Sequence, residues 1–183
     1  NFIAVRGKGN PNEKGGEYQK AVEMLYGVTY TLKMSYKTEY QIKDFFEYVV
    51  PPLEGLWWQE NEKSENYLLN KELFNWISLI RVPDFIKKED VEWAIKCATK
   101  KKKKDFSKVE FFSYNEGLCV QCMHIGSYND EPETIQRMNE FAQNNGYNIE
   151  LTEKRYHHEI YLSDPRKADI NKLKTVIRQP VKK

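Results

Sequence analysis

The chain has 183 residues, of which 40% are hydrophobic and 31% are charged, a composition typical of one globular domain or two small halves. A net charge of +2 argues against nucleic acid as a direct partner, and no apolar run approaches the roughly 20 residues of a membrane span. Three cysteines and no visible signal peptide predict a cytoplasmic protein without a disulfide framework. The aromatic share of 14% is high and indicates a pocket lined by rings.

The first half of the chain predicts a strand, a helix and two more strands. The apolar run "FIAVRGKGNPNE" begins at Phe2 and ends in a glycine turn, and a helical stripe from Tyr18 to Tyr36 follows it. The runs "FEYVVPPLEGLWW" and "FNWISLIRVP" predict two strands, the second ending at Pro83. Because the chain opens without Met inside a strand pattern, we interpret its true N-terminus as missing.

The second half repeats this plan. The strand "LCVQCMHIGSYNDE" leads to a helix that Pro132 can open, and "NIELTEKRY" and "HHEIYLSDP" then predict strands, the last ending at Pro165. A helix at about 87–104 links the halves, and a short helix at about 168–174 and the strand "TVIRQPV" close the chain. Two strand–helix–strand–strand modules, at about 1–84 and about 109–183, therefore form a single α+β domain over 1–183. We expect both helices on one face of the sheet and a ligand cleft on the other, with pseudo-twofold symmetry.

The strand at "HHEIYLSDP" has two unlike faces. Ile160 and Leu162 alternate with His157, Glu159 and Tyr161. If the apolar side packs on the helices, the Glu159 carboxylate lies among rings on the open face. It can then bind an organic cation, act as a general acid or base, or simply face water or a neighbouring strand.

Four motifs in order, "PPLEGLWW", "NWISLIRVPDF", "MHIGSYNDEPETI" and "HHEIYLSDPRK", resemble the GyrI-like small-molecule-binding domain, a bacterial family, over essentially the whole chain. The family includes the DNA gyrase inhibitor and the effector-binding domains of multidrug-sensing transcription activators. The resemblance implies two SHS2 modules with the ligand in the cleft between them and no cofactor. It also implies that Glu159 meets cationic, drug-like xenobiotic ligands. We interpret the sequence as starting after an N-terminal segment that is usual in stand-alone relatives, and its patterns do not predict a helix-turn-helix module.

Some stand-alone members of that family are hydrolases that open the cyclopropane ring of DNA-alkylating natural products. For such an enzyme the resemblance assigns catalysis to Glu159 and, with it, a pocket role to Trp58. Binding of an aromatic or cationic small molecule is the leading hypothesis. The hydrolase and a gyrase-inhibitor-like protein-interaction module remain alternatives, and the oligomeric state is left open. The predicted ligand-binding residues are Glu159, Trp58, Tyr161, Leu56, His124 and Trp93.

Two other patterns indicate structure more than function. Cys119 and Cys122 stand three apart in a predicted strand, so their thiols diverge, and we predict neither a metal site nor a cofactor. The lysine run 100–104 lies where a helix ends, where cations are favourable and solvated. His124 itself fits a structural role as well as it fits the edge of a cleft.

Overall fold

The computed structural model of this α+β protein describes residues 1–59 and 71–183. By its internal contacts the chain divides into two compact units, residues 1–52 with 71–114 and residues 53–70 with 115–183. The described helices and strands are, in chain order, β1 (Phe2–Lys8), α1 (Glu17–Lys33), β2 (Leu53–Gln59), β3 (Phe74–Arg81), α2 (Lys88–Lys102), β4 (Glu110–Phe112), β5 (Cys119–Ile125), α3 (Glu131–Asn144), β6 (Asn148–Ile149), β7 (His157–Tyr161) and β8 (Lys174–Lys182).

The first unit is built on β1, which pairs antiparallel with β3 on one side and with β4 on the other. Its helices α1 and α2 pack against each other, and α1 also packs on β1 and β3. The ring of Tyr18 meets the ring of Trp76 edge-on, with 5.1 Å between centroids. Opposite Trp76, a Cβ at Gly7 would lie only 2.3 Å from the indole ring. Glycine is therefore required there for the Trp76 ring to take this position.

The second unit is an antiparallel sheet in the order β2–β7–β8–β5, with β6 added at the end of β8. Pro132 lies in the first turn of α3, as predicted, where its missing N–H costs no helical hydrogen bond. The buried side chains of Ile135 and Met138 on α3 pack against Ile177 of β8. This contact fixes which face of the sheet carries the helix.

The predicted order of strand, helix and two strands is found in each half, and α2 follows the first of these sets in the chain. β2 begins only at Leu53, because prolines at 51 and 52 cannot donate ladder hydrogen bonds. β2 belongs to the second unit, although it falls in the first predicted module, because it pairs with β7. The helix predicted at about 168–174 is a 3-10 turn over Ile170–Lys172. The twofold repeat stays a prediction.

Among the described helices, none combines the length and the apolar character that crossing a membrane requires.

Candidate functional site

The register of the second sheet decides which way Glu159 faces. Glu159 stands directly opposite Gly55 of β2 and opposite Ile177 of β8. Side chains of directly opposed residues lie on the same face of an antiparallel sheet. Because Ile177 packs against Ile135 and Met138 of α3, Glu159 lies on the face that carries this helix. The prediction that Glu159 faces away from the helices is therefore wrong.

The Glu159 carboxylate is nearly buried, with 8% of the residue exposed, and each of its oxygens has a hydrogen-bond partner. Oε1 lies 2.8 Å from His157 Nε2, and Oε2 accepts from the Tyr161 hydroxyl at 2.6 Å. Such donors replace the water that a buried carboxylate loses, and hydrogen bonds to a charged group are stronger than those between neutral groups. The carboxylate is thus held in one orientation by two neighbours on its own strand.

Each of these neighbours is held in turn by a residue further out. Trp57 Nε1 donates to the Tyr161 hydroxyl oxygen at 3.0 Å. Gln179 Nε2 lies 3.0 Å from His157 Nδ1, and both residues are almost completely buried, at 1% exposure each. We call these five residues, Trp57, His157, Glu159, Tyr161 and Gln179, the Glu159 site. Its hydrogen bonds form one chain that spans β2, β7 and β8.

Aromatic rings border this carboxylate. The ring of Tyr128 meets the ring of Tyr161 edge-on, with 5.9 Å between centroids. Burial, together with the negative charges of Glu131, Glu159 and Asp164, raises the pKa of Tyr128 to about 12. Tyr128 is therefore a neutral phenol at ordinary pH, and with Trp57 it makes the surroundings of Glu159 aromatic. A carboxylate beside such rings can attract an organic cation or take part in proton transfer.

The opposite face of β7 carries a second polar group of residues, which we call the reverse-face ion cluster (Glu54, Glu116, His158 and Arg178). His158 Nε2 lies 2.8 Å from Glu54 Oε2, and His158 Nδ1 lies 3.0 Å from Glu116 Oε1. Arg178 Nε lies 2.7 Å from Glu116 Oε2. Burial alone would lower the pKa of His158, but the two carboxylates raise it to about 9. The cluster therefore joins two cations to two anions, which cross-links β2, β7, β8 and the segment before β5.

Leu56 and Trp58 were predicted to stand beside Glu159, and the structure does not bring them to it. Leu56 pairs with His158, so its side chain lies on the reverse face. Trp58, two residues further along β2, lies on that same face. The intervening residue, Trp57, points to the Glu159 side. The double tryptophan thus supplies one ring to each face of β2.

Two further predicted residues have partners of their own. His124 is 5% exposed, and its ring nitrogens lie 2.9 Å from Thr134 Oγ1 and 2.9 Å from the Ser127 carbonyl oxygen. These contacts favour the structural role for His124. Trp93 lies on α2 in the first unit and stacks on Tyr40, with 4.2 Å between centroids and 9° between ring planes.

Sequence reasoning missed Trp57, His157 and Gln179 as site residues. A signal for Gln179 was present, because in β8 it alternates with Thr175 and Ile177 and so shares their inward face. An amide on the buried face of a strand needs a partner. That partner is His157, which shares the facing of Glu159.

The cysteines follow the strand geometry predicted for them. Cys119 pairs with Pro180 and Cys122 with Ile177, so the two thiols lie on opposite faces of β5, and both are free. Burial and the nearby Glu116 raise the pKa of the Cys119 thiol. Within residues 1–59 and 71–183, no group of three or more His, Cys, Asp or Glu side chains is arranged to hold a metal ion.

The fold is an α+β domain with a nearly buried, ring-bordered carboxylate at Glu159. Residues 1–182 match the family described as the GyrI-like small molecule binding domain, and the chain belongs to that family. The family binds small molecules, so ligand binding in general is the function of this domain.

Several solved structures share this fold. A hydrolase from Listeria innocua is 42% identical, with a TM-score of 0.88 over 99% of this chain and 86% of that chain. An uncharacterized conserved protein from Listeria innocua is 44% identical, with a TM-score of 0.91 over 99% of this chain and 87% of that one. The C-terminal domain of EcmrR is 13% identical, with a TM-score of 0.56 over 100% and 90%, which shows likeness of fold alone. None of the curated proteins compared matches this chain.

Proposed function

We propose that the Glu159 site binds an aromatic, cationic small molecule of xenobiotic type, with Glu159 as its counter-charge. The observation that carries this proposal is a nearly buried carboxylate whose hydrogen bonds come from its own strand and whose borders are aromatic rings. Each carboxylate oxygen lies within hydrogen-bond distance of a side chain on the same strand, so the group is held in a fixed orientation. The aromatic side chains of Tyr161 and, through the Tyr161 hydroxyl, Trp57 are linked to that group by hydrogen bonds.

Binding of this kind combines two effects that act on the same ligand. Charge pairing with Glu159 favours a cation, and the quadrupoles of neighbouring rings favour a cation that is spread over a flat, apolar body. A flat body also buries apolar area against the rings of Trp57 and Tyr161. A small hydrated metal ion gains little from these rings, and a neutral aromatic gains nothing from the charge. The site therefore selects for organic cations.

A matched pair of dyes tests this selectivity. Thioflavin T is a cationic aromatic, and its counterpart without the ring N-methyl group has nearly the same shape and no charge. We expect Glu159→Gln to weaken binding of thioflavin T by about 1–3 kcal/mol, the worth of a charge-assisted contact. Binding of the neutral counterpart should change little, since the side chain keeps its size and a neutral dye gains nothing from the charge that is removed. Fluorescence titration measures both affinities.

Glu133→Gln is the control for this comparison, because it removes the same charge from an exposed position on α3. Circular dichroism and the melting temperature show whether each variant keeps its fold. If Glu159→Gln and Glu133→Gln bind thioflavin T as the unaltered protein does, Glu159 is not the counter-charge and the proposal is wrong.

Hydrolysis is the second candidate function, favoured by the two proton-bearing groups that contact Glu159. Tyr161 donates to one carboxylate oxygen, and the His157 ring lies within hydrogen-bond distance of the other. In the ring opening of a cyclopropane, water forms a bond to a ring carbon as a ring C–C bond breaks. Glu159 would take the proton of that water, and a proton donor would neutralise the group that receives the electron pair. The resemblance in fold to a hydrolase from Listeria innocua supports this candidate.

Incubation with a cyclopropane-bearing alkylator separates the two functions. An enzyme yields a product heavier by one water in the mass spectrum, whereas a binding protein shows saturable binding and unchanged ligand. If turnover is found, Glu159→Gln should reduce it by about a hundredfold or more, as expected for loss of a general acid–base. The protein-interaction role, the cytoplasmic location and the absence of a nucleic-acid partner stay predictions.

A further inference from the structure

We propose that Trp57 and Gln179 are positioning residues, which orient the two proton donors of Glu159 without themselves supplying its charge. This inference rests on the proposed role of Glu159 as the counter-charge of the ligand. The two residues set the orientation of the Glu159 carboxylate and of the O–H and N–H groups that donate to it.

The first arm of the arrangement runs from Trp57 through Tyr161. The indole N–H is a donor and cannot accept, so the 3.0 Å contact makes the Tyr161 oxygen the acceptor. With that side of the oxygen occupied, the Tyr161 O–H is turned towards Glu159 Oε2, 2.6 Å away. Trp57 thus decides the direction of a hydroxyl that could otherwise rotate.

Gly55 makes this arm geometrically feasible. It stands directly opposite Glu159, and a Cβ at this position would lie 2.4 Å from Trp57 Nε1 and 3.0 Å from the Tyr161 hydroxyl oxygen. The first distance is shorter than real Cβ atoms show, and the second is tighter than most Cβ contacts. The missing side chain of Gly55 therefore leaves the space in which the indole N–H reaches Tyr161.

The second arm runs from Gln179 through His157. The Gln179 amide Nε2 donates to His157 Nδ1, which must then be the unprotonated nitrogen of the ring. The ring proton is thereby placed on Nε2, which donates to Glu159 Oε1 at 2.8 Å. A hydrogen bond on one ring nitrogen selects the tautomer in this way, and the second nitrogen takes the opposite role.

The two arms together anchor both oxygens of one carboxylate. An anion whose donors are already oriented need not reorganise when a cation arrives, so less of the interaction energy is lost on binding. Removing an outer residue should therefore weaken binding of a cation even though the charged group remains. Loss of ring area, in contrast, weakens binding of cationic and neutral aromatics alike.

The tautomer of His157 is tested directly by nitrogen NMR on protein labelled at its histidines. We expect the unaltered protein to show a proton on Nε2 and none on Nδ1, and Gln179→Leu to lose this preference. Gln136→Leu is the control, because Gln136 is an exposed residue of α3 that bonds to Glu140. A proton on Nδ1 in the unaltered protein, with or without one on Nε2, would overturn the Gln179 arm.

The Trp57 arm is tested by the affinity for thioflavin T divided by that for its neutral counterpart. Trp57→Phe removes the indole N–H, whereas Gly55→Ala displaces the indole and leaves its chemistry intact. Each should lower the ratio by about three- to tenfold, the worth of one oriented hydrogen bond. Circular dichroism shows whether each variant is folded. If one of them is not, the affinity ratio of the other decides the test.

A ratio that stays unchanged in the folded variants, while Glu159→Gln lowers it, would show that Trp57 has only a packing role. A ratio that Glu159→Gln also leaves unchanged would instead disprove the proposed function of Glu159. In that case the NMR result still decides whether Gln179 sets the tautomer of His157. Failure of the proposed function and failure of the positioning roles are therefore distinguishable.

Discussion

The stability of the second unit is expected to fall as the pH rises above neutrality, because of His158 in the reverse-face ion cluster. A histidine has an ordinary pKa of 6.5, and the carboxylates of Glu116 and Glu54 raise that of His158 to about 9. Between these values the folded chain keeps a proton that the unfolded chain releases. The contribution of His158 to the free energy of unfolding is therefore fully present below pH 6.5 and is lost as the pH rises through about 9.

The size of this contribution follows from the same two values. A pKa that changes from 6.5 to about 9 corresponds to about 3 kcal/mol of stability. Glu116 acts in the opposite direction, since His158 and Arg178 hold its pKa below 4.5 despite burial. Its contribution is present above pH 4.5 and is lost as the pH falls through its lowered pKa. The cluster as a whole is thus most stabilising between about pH 4.5 and 6.5.

Urea unfolding followed by tryptophan fluorescence, at several pH values, measures this dependence against His158→Gln. At about pH 6 the variant should be less stable by about 3–5 kcal/mol, because two buried carboxylates lose their cation. The difference should shrink above about pH 9, where His158 has lost its proton in the unaltered protein too. Other groups titrate in both proteins and cancel in the comparison. Parallel stability curves across this range would refute the assignment of a charged His158.

Packing, thiol reactivity and metal content each give a further test of the structure. Gly7→Ala should lower the free energy of unfolding by about 1–3 kcal/mol in urea titrations, because its Cβ would overlap the Trp76 ring. Exposed Cys122 should react with iodoacetamide faster than Cys119, whose thiol pKa is raised by burial, and peptide mass spectrometry would show equal rates if this is wrong. Because these thiols lie on opposite faces of β5, elemental analysis should find no stoichiometric zinc in protein purified without a chelator.

The order of the elements could be predicted from the sequence because each has a strong local signal. Helical stripes, the glycine turns and Pro132 place α1, α2 and α3 within a few residues of where they lie. The pairing of β2 with β7 could not be predicted in this way. It joins residues about a hundred positions apart, and nothing in a local pattern states which strand is the neighbour of Leu53–Gln59.

The site was predicted in part, and the error has a physical cause. Glu159 and Tyr161 were correctly given one facing, because alternation along a strand is reliable. The side of the sheet was then chosen by assuming that Ile160 packs on the helices. In β7 this assumption fails, since the helix-bearing face holds His157 and Glu159. The rule that the apolar side of a strand faces the helices is broken in β7, and this exception cannot be seen without the register.

The two faces of β7 hold their carboxylates in different ways. On the reverse face His158 lies between Glu54 and Glu116, and Arg178 balances the remaining charge, so the group is complete in itself. On the other face Glu159 accepts a hydrogen bond from the Tyr161 phenol, and its second oxygen lies 2.8 Å from the His157 ring, which Gln179 contacts in turn. Under the proposed function, these contacts hold the charge in place without cancelling it. We propose that a fold which neutralises one set of buried carboxylates with its own cations, and only orients the other, keeps the second available for a cation from outside.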